Sequence, residues 1–144
     1  MLFDIRGRVM VVTGATGTLA GSAADYLASV GARVAYIGRS RSKLDDALGR
    51  CRSNHPEAEV EGFLADVLDR KALEAACEQV LALWGRIDAL LNGAGGNMPG
   101  ATVPPGASFF DIDTSAFETV VDLNLHGTVL PTLVFARVMA ECGR

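Results

Sequence analysis

Apolar residues fall in short continuous runs, separated by stretches where they recur every three or four positions. Arg8 to Thr13 (RVMVVT) is continuous and β-branched, which predicts a strand buried on both faces, and it ends in the glycine turn TGATGTLAG. From Leu19 to Val30 the small and apolar residues (Leu19, Ala23, Ala24, Leu27, Val30) take helical spacing, and Gly31 supplies the stop just past the helix end. Arg33 to Ile37 (RVAYI) is a second strand, and Gly38-Arg39-Ser40 turns into a polar helix ending near Asn54-His55-Pro56. Glu59 to Leu64 is a third strand, after which Asp66 and Asp69 mark a turn and a helix cap. Ala72 to Trp84 is helical with Leu73, Ala76, Val80 and Leu83 on one face, and Arg86 to Leu91 (RIDALL) is a fourth strand running into NGAGG. Strand and helix alternating at a spacing of roughly 30 residues predict βαβ units. The fold class is therefore α/β: a doubly wound parallel sheet with right-handed crossovers, in three α/β/α layers.

The rhythm breaks at residues 97–114, where MPGATVPPGASFFDID concentrates proline and glycine in a loop. Phe109 and Phe110 in this loop read as caps on the core or as a cover for a substrate, with capping preferred. Ser115-Ala116-Phe117-Glu118 then reads as a capping box opening a last helix toward Cys142 and Gly143. Apolar residues lie on most of that helix's surface, from Phe117 through Leu125, Val129 and Leu133 to Met139, which predicts burial on more than one side. Pro131 inside it cannot donate to the Gly127 carbonyl, so a bend is expected there.

Composition narrows the class. The 144 residues suit a single domain with a sizeable core, and 49% hydrophobic content with a net charge of −4 excludes a disordered chain. Thirteen basic residues against 17 acidic, with no basic cluster, argue against nucleic-acid binding. Cys51, Cys77 and Cys142 show neither CxxC nor Cys/His spacing, so neither a disulfide framework nor a metal site is expected. The start, MLFDIRGRVMVV, is interrupted by Asp4, Arg6 and Arg8 and is no secretory segment, and the uncharged stretch from Leu123 to Ala136 is too short to span a bilayer. A soluble, cytoplasmic protein without a membrane segment is expected.

Candidate chemistry gathers at the predicted strand ends. TGATGTLAG holds Thr13, Gly14, Thr16, Gly17, Thr18, Leu19 and Gly21 where a strand passes into a helix. Such a turn lets backbone approach a pyrophosphate, and the helix start offers free N–H groups and a positive dipole end. The same glycines also suit a turn with no ligand. The second strand ends about 20 residues on, where ribose recognition belongs. No acidic residue stands there to accept bonds from a 2′-hydroxyl. Arg39 and Ser40 suit a 2′-phosphate instead, although Arg39 beside Arg41 and Lys43 also reads as a solvated surface. Asp66-Val67 suits an adenine contact or a helix-capping turn. Asn92-Gly93-Ala94-Gly95 clears space at the carboxyl edge of the sheet, as any glycine loop would. His126 lies two residues from Asn124, about 200° around a helix, so the pair does not act together. His55 precedes a proline in a loop.

Taken in order, TGATGTLAG, Asp66-Val67, NGAG and Asn124 within DLNL resemble the short-chain dehydrogenase/reductase (SDR) family across essentially the whole chain. The loop NGAGGNMPGATVPPGASFFDID and the segment DLNLHGTVLPT further resemble its fructuronate (mannonate) oxidoreductase branch. The resemblance implies a Rossmann-type fold in which residues 1–144 are the N-terminal dinucleotide-binding part, carrying strands one to four of about seven. It implies that Thr13, Gly14, Gly17 and Gly21 form the pyrophosphate turn and that Arg39 and Ser40 meet the adenosine ribose or its phosphate. Asp66 and Val67 would flank adenine, while Asn92, Gly93, Ala94 and Gly95 would line the nicotinamide side. Asn124 corresponds to the helix asparagine that supports a proton-relay water, and NADP(H) is favoured over NAD(H).

Departures from the family pattern are specific. T-G-x-x-x-G-x-G asks for glycine where this chain has Thr18 and Ala20, and NGAG replaces NNAG. Neither Tyr26 nor Tyr36 has a lysine four residues on, so the family's Tyr-x-x-x-Lys and its partner Ser are not among these residues. The expectation is an NAD(P)-dependent oxidoreductase acting on a small hydroxyl or carbonyl substrate, with this chain a fragment that is inactive alone and the complete enzyme a homo-oligomer, dimer or tetramer. The alternatives are a non-catalytic dinucleotide-binding module or half of a split assembly, and a flavodoxin-like domain. A strand order 3-2-1-4 would leave the apolar edge of strand four and much of the last helix uncovered.

Overall fold

The computed structural model describes residues 4–141, so Cys142 and Gly143 lie outside the described residues. Four strands, β1 (Val9–Thr13), β2 (Arg33–Gly38), β3 (Val60–Leu64) and β4 (Ala89–Asn92), form one parallel sheet in the order β3-β2-β1-β4. Registers run from Val9 opposite Arg33, Met10 opposite Ala89 and Val34 opposite Val60. Three helices alternate with the strands: α1 (Thr18–Ser29), α2 (Arg41–Asn54) and α3 (Arg70–Trp84). A fourth, α4, spans Thr114–Glu141.

Side-chain alternation splits the core in two. Val9, Val11, Ile37 and Phe63 point to the face covered by α3 and the end of α4, where they meet Leu73, Val80 and Phe135. Val12, Val34 and Tyr36 point to the other face, against the alanines of α1 and Leu44, Leu48 and Cys51 of α2. Both faces of β1 and β2 are thus covered, which is why these strands read as unbroken apolar runs. The alanine-rich face of α1 lets that helix lie close to the sheet at the first turn, where a cleft opens.

Local stops and starts follow backbone needs. Gly31 takes φ +90° beyond α1, with its amide bonded to Ala28 O and that of Ala32 to Leu27 O, the paired closure that a left-handed residue permits. Asp69 caps α3 by accepting from the Ala72 amide. β4 begins at Ala89 rather than Arg86, because Asp88 is spent holding the sheet's lower end. Its carboxylate accepts from the Val9 amide at 2.8 Å and pairs with Arg8 and Arg86. α4 begins at Thr114, capped by Asp113 rather than by a Ser115 box: Asp113 accepts from the Ser115 and Ala116 amides and from the Ser115 hydroxyl.

Two expectations for the last third are corrected. Phe109 and Phe110 do not cap the core; they are 68% and 93% exposed and touch edge to face, because the loop's single helical turns Pro99–Ala101 and Phe109–Asp111 carry them outward. α4 is not buried on several sides. Val134 and Phe135 enter the core, while Phe117, Leu125, Val129 and Leu133 form an exposed stripe at multiples of four residues. Pro131 is buried and does not break the helix. Instead, wider π turns at Asp122–His126 and Thr132–Ala136 take up the irregularity. With 28 residues and an 18-residue stretch of mean hydropathy 1.2, α4 is long and apolar enough by composition to cross a membrane, beyond what its uncharged stretch alone suggested.

Candidate functional site: a cleft over the first strand-helix turn

A cleft of about 250 Å³ opens at the carboxyl ends of the strands, where sheet order switches between β1 and β4. Its floor is Gly14, Thr16 and Gly17 after β1. One wall is Gly38, Arg39, Ser40 and Lys43 after β2, and the far side is Asp66 and Val67 with Gly93, Ala94 and Gly95 after β4.

Glycine is required in this floor for stated reasons. Gly14 has φ +67°, and a Cβ there would lie 2.7 Å from backbone atoms of Ala94 and from Gly93 O. A Cβ on Gly21 would come within 2.9 Å of Ala15 O, so Gly21 packs against the turn, and it lines a neighbouring pocket with Thr16, Gly17 and Thr18 rather than this cleft. The start of α1 lacks any side-chain cap, whereas Ser40, Asp69 and Asp113 cap the other three helices. The Thr18, Leu19 and Ala20 amides find no acceptor among the described residues, so a positive helix end is open to an anion. Thr18 and Leu19 contribute through those amides, and the Leu19 side chain points into solvent.

Several predicted residues act from behind the cleft. Thr13 is fully buried; its Oγ1 accepts from the Gly93 and Ala94 amides at 3.1 and 3.3 Å, tying the turn to the end of β4 instead of facing a ligand. Asn92 also turns away, donating from Nδ2 to Thr132 Oγ1, with its Oδ1 buried and unpartnered. Asn124 donates to Gly96 O and Val120 O and accepts from the Gly96 amide, so it braces the glycine bend. Its Oδ1 would stand 2.7 Å from a Cβ on Gly95. Ser40 Oγ is engaged as the α2 cap, 3.5 Å from the Lys43 amide, and with Ser42 Oγ at 3.2 Å.

Asp66 forms the turn that was one of the two roles weighed for it. Its Oδ1 accepts from the Leu68 amide in a turn, and Oδ2 lies 3.8 Å from Arg39 Nη1 across the cleft. Val67 is buried beneath Gly127 of α4. Lys43 and Leu123 line the cleft and were missed as site residues. Lys43 lies four residues beyond Arg39, one helical turn into α2, and that spacing was the available signal; Leu123 had none beyond its place next to Asn124. His126 is exposed, with Nδ1 2.9 Å from Asp122 Oδ1, and His55 ends α2 half-buried. Among the described residues no group of His, Cys, Asp or Glu is placed to hold a metal ion.

A parallel sheet in this order, with an uncapped glycine turn at its switch point, is the arrangement of a dinucleotide-binding domain. A family described as short chain dehydrogenase matches residues 8–144. The chain belongs to the short chain dehydrogenase family. Among its relatives is the uncharacterized oxidoreductase UxuB of Bacillus subtilis (strain 168), 36% identical over 96% of this chain and 52% of the relative. Another is the D-threitol dehydrogenase of Mycolicibacterium smegmatis, 32% identical over 98% of this chain and 52% of the relative. Among solved structures, a proposed D-mannonate oxidoreductase from Haemophilus influenza with bound NAD is 29% identical, with TM-score 0.84 over 96% of this chain and 52% of the other. A metagenomic short-chain oxidoreductase in complex with NADP is 28% identical, with TM-score 0.81 over 99% of this chain and 61% of the other. The chain spans about half the length of the curated relatives it matches.

Proposed function

We propose that residues 1–144 are the dinucleotide-binding part of an NAD(P)-dependent oxidoreductase. It would act on a small hydroxyl or carbonyl substrate, a sugar acid such as fructuronate or mannonate. The observation that carries this reading is the uncapped α1 start above a turn where Gly14 admits no side chain. The residues fit the group: Gly14, Thr16 and Gly17 with the α1 amides would hold the pyrophosphate, and Asp66 and Val67 would flank adenine. Gly93, Ala94 and Gly95 would leave room for the nicotinamide. When bound, the nicotinamide ring gives or takes the hydride. This chain's residues bind and orient the dinucleotide, and Asn124, fixed to the Gly95-Gly96 bend, is its contribution to proton relay. The acid/base Tyr-x-x-x-Lys and its Ser are not among the 144 residues, so turnover requires those groups from outside them. The complete enzyme is a cytoplasmic homo-oligomer in this reading.

The end of β2 is Gly38, followed by Arg39 and Ser40, with no carboxylate to receive a ribose 2′-hydroxyl, which favours NADP(H) over NAD(H). Arg39→Asp is expected to reverse the NADPH/NADH affinity ratio measured by fluorescence titration. An unchanged ratio would remove Arg39 from cofactor choice.

A further inference from the structure

The buried residues of α1 are three alanines, Ala20, Ala24 and Ala28. A face of methyl groups interlocks little with the sheet, so it fixes how close the helix lies better than where it sits along its own axis. The start of α1 is also open on one flank. A polar groove of about 280 Å³ runs between it and α2, lined by Thr18, Ser22 and Asp25 on one side and by Ala47 and Arg50 on the other. The free amides of Thr18, Leu19 and Ala20 serve an anion only if the helix that carries them is held in one place. One directional contact does hold it. Ser22 and Ser29 bond within the helix, to Thr18 O and Tyr26 O, but Asp25 reaches out of it. Its Oδ1 accepts from the Tyr36 hydroxyl of β2 at 2.6 Å.

We infer that Asp25 is a positioning residue for the anion-holding start of α1, tying that helix to the buried Tyr36 of the strand that also anchors Gly14. The inference rests on the proposed dinucleotide site and adds to it the device that aims the amides. Tyr36 immediately precedes Ile37, whose carbonyl accepts from the Gly14 amide at 3.0 Å, so one short piece of β2 fixes both the glycine turn and the helix after it. Tyr36 is fully buried, and burial with the Asp25 bond pushes its hydroxyl far above the ordinary phenol value, so it remains a donor. The Cys51 thiol of α2 is buried against the same pair, and burial pushes it up as well. Asp25 stands about two turns beyond Thr18, and a slide of α1 would displace all three free amides together. A hydrogen bond to a charged acceptor, made against a fully buried donor, resists that slide more than methyl contacts do.

The test is calorimetric binding of ADP and adenosine, which share base and ribose, differ in the diphosphate and need no turnover. Wild type is expected to bind ADP more tightly. Tyr36→Phe and Asp25→Ala are each expected to lower the ratio of ADP to adenosine affinity on the order of fivefold, with adenosine affinity within about twofold of wild type. Asp25→Asn keeps an oxygen for the Tyr36 hydroxyl and is expected to hold the ratio within about twofold of wild type. A role in stability alone would weaken both ligands equally, through the folded fraction, and leave the ratio where it was. An unchanged ratio in Tyr36→Phe and Asp25→Ala therefore overturns the positioning role and leaves the dinucleotide site standing. So does an Asp25→Asn protein that falls as far as Asp25→Ala. Equal wild-type affinity for ADP and adenosine removes the diphosphate from the α1 amides and overturns this inference with it. Failure of wild type to bind either ligand overturns the proposed function itself.

Discussion

At Gly93 the nearest neighbour of an added Cβ would be the Ala20 methyl, 2.4 Å away, with Thr13 O at 2.9 Å. Those two positions are among the places where the chain departs from the family pattern, which puts glycine at 20 and asparagine at 93. The departures therefore compensate: the methyl on α1 fills the space that a side chain after β4 would need. Gly93→Asn alone is expected to cost more than about 2 kcal/mol in denaturant unfolding through overpacking. Adding Ala20→Gly should recover most of that loss; a double variant no better than the single one would refute the coupling. Such a pair is invisible in a single sequence, where each departure only weakened the motif. Thr13 shows the same limit, since the family resemblance put it in the pyrophosphate turn while its burial makes it a tie between loops. Asp88 went unremarked for the same reason. Burial raises its carboxyl, but hydrogen bonds from Arg86, the Val9 amide and Arg8 outweigh that and leave it below the ordinary carboxylate value. A depressed folded-state value means the stabilisation is complete above the unfolded value near pH 4 and fades as pH falls through the folded one. Asp88→Asn should therefore lose about 1–3 kcal/mol at pH 7 and show a flatter stability profile between pH 5 and 3 than wild type.

Elements were legible where local pattern and tertiary need agreed. The four strands and the three crossover helices follow from apolar runs, glycine stops and spacing, with their order implied by the family resemblance, and errors at their ends were short. β4 was shifted because Arg86-Ile87-Asp88 looks like strand from its alternation, while the Asp88 side chain is drawn to the Val9 amide. The α4 cap was displaced by two residues because Asp113 competes with Ser115 and accepts both free amides at once. Asp113→Ala is expected to accelerate hydrogen exchange at the Ser115 and Ala116 amides, with Ser115→Ala doing much less; the opposite order would restore the capping box. Further along α4, Phe135 is fully buried against α3 and β4, whereas Leu133 is 53% exposed. Phe135→Ala should cost about 3–5 kcal/mol, and Leu133→Glu should stay within about 0.5 kcal/mol.

For the whole molecule, the sheet delivers four loop ends to one cleft while leaving the other side of β4 and the Phe117-Leu125-Val129-Leu133 stripe uncovered. The expected strand order already left the edge of strand four and much of the last helix open, and the fold showed which residues of that helix form the exposed stripe. A contiguous patch of this kind promotes association. The isolated 144 residues should therefore self-associate in sedimentation at tens of micromolar, and Leu125→Glu with Leu133→Glu should shift them toward monomer. The cleft's lining was largely readable, because a turn that packs this close to the Gly93-Ala94 backbone must use glycine; its charge arrangement was not, since the Arg39–Asp66 approach joins residues 27 apart in sequence. The central claim is that backbone amides at the start of α1 hold a dinucleotide. The direct measurement is fluorescence titration of the chain and its Gly14→Val variant with NADPH, NADH and FMN. Saturable binding of the nicotinamide dinucleotides, lost by at least tenfold in the variant and absent for FMN, is the predicted result. Binding of FMN alone, or dinucleotide binding untouched by Gly14→Val, would contradict it.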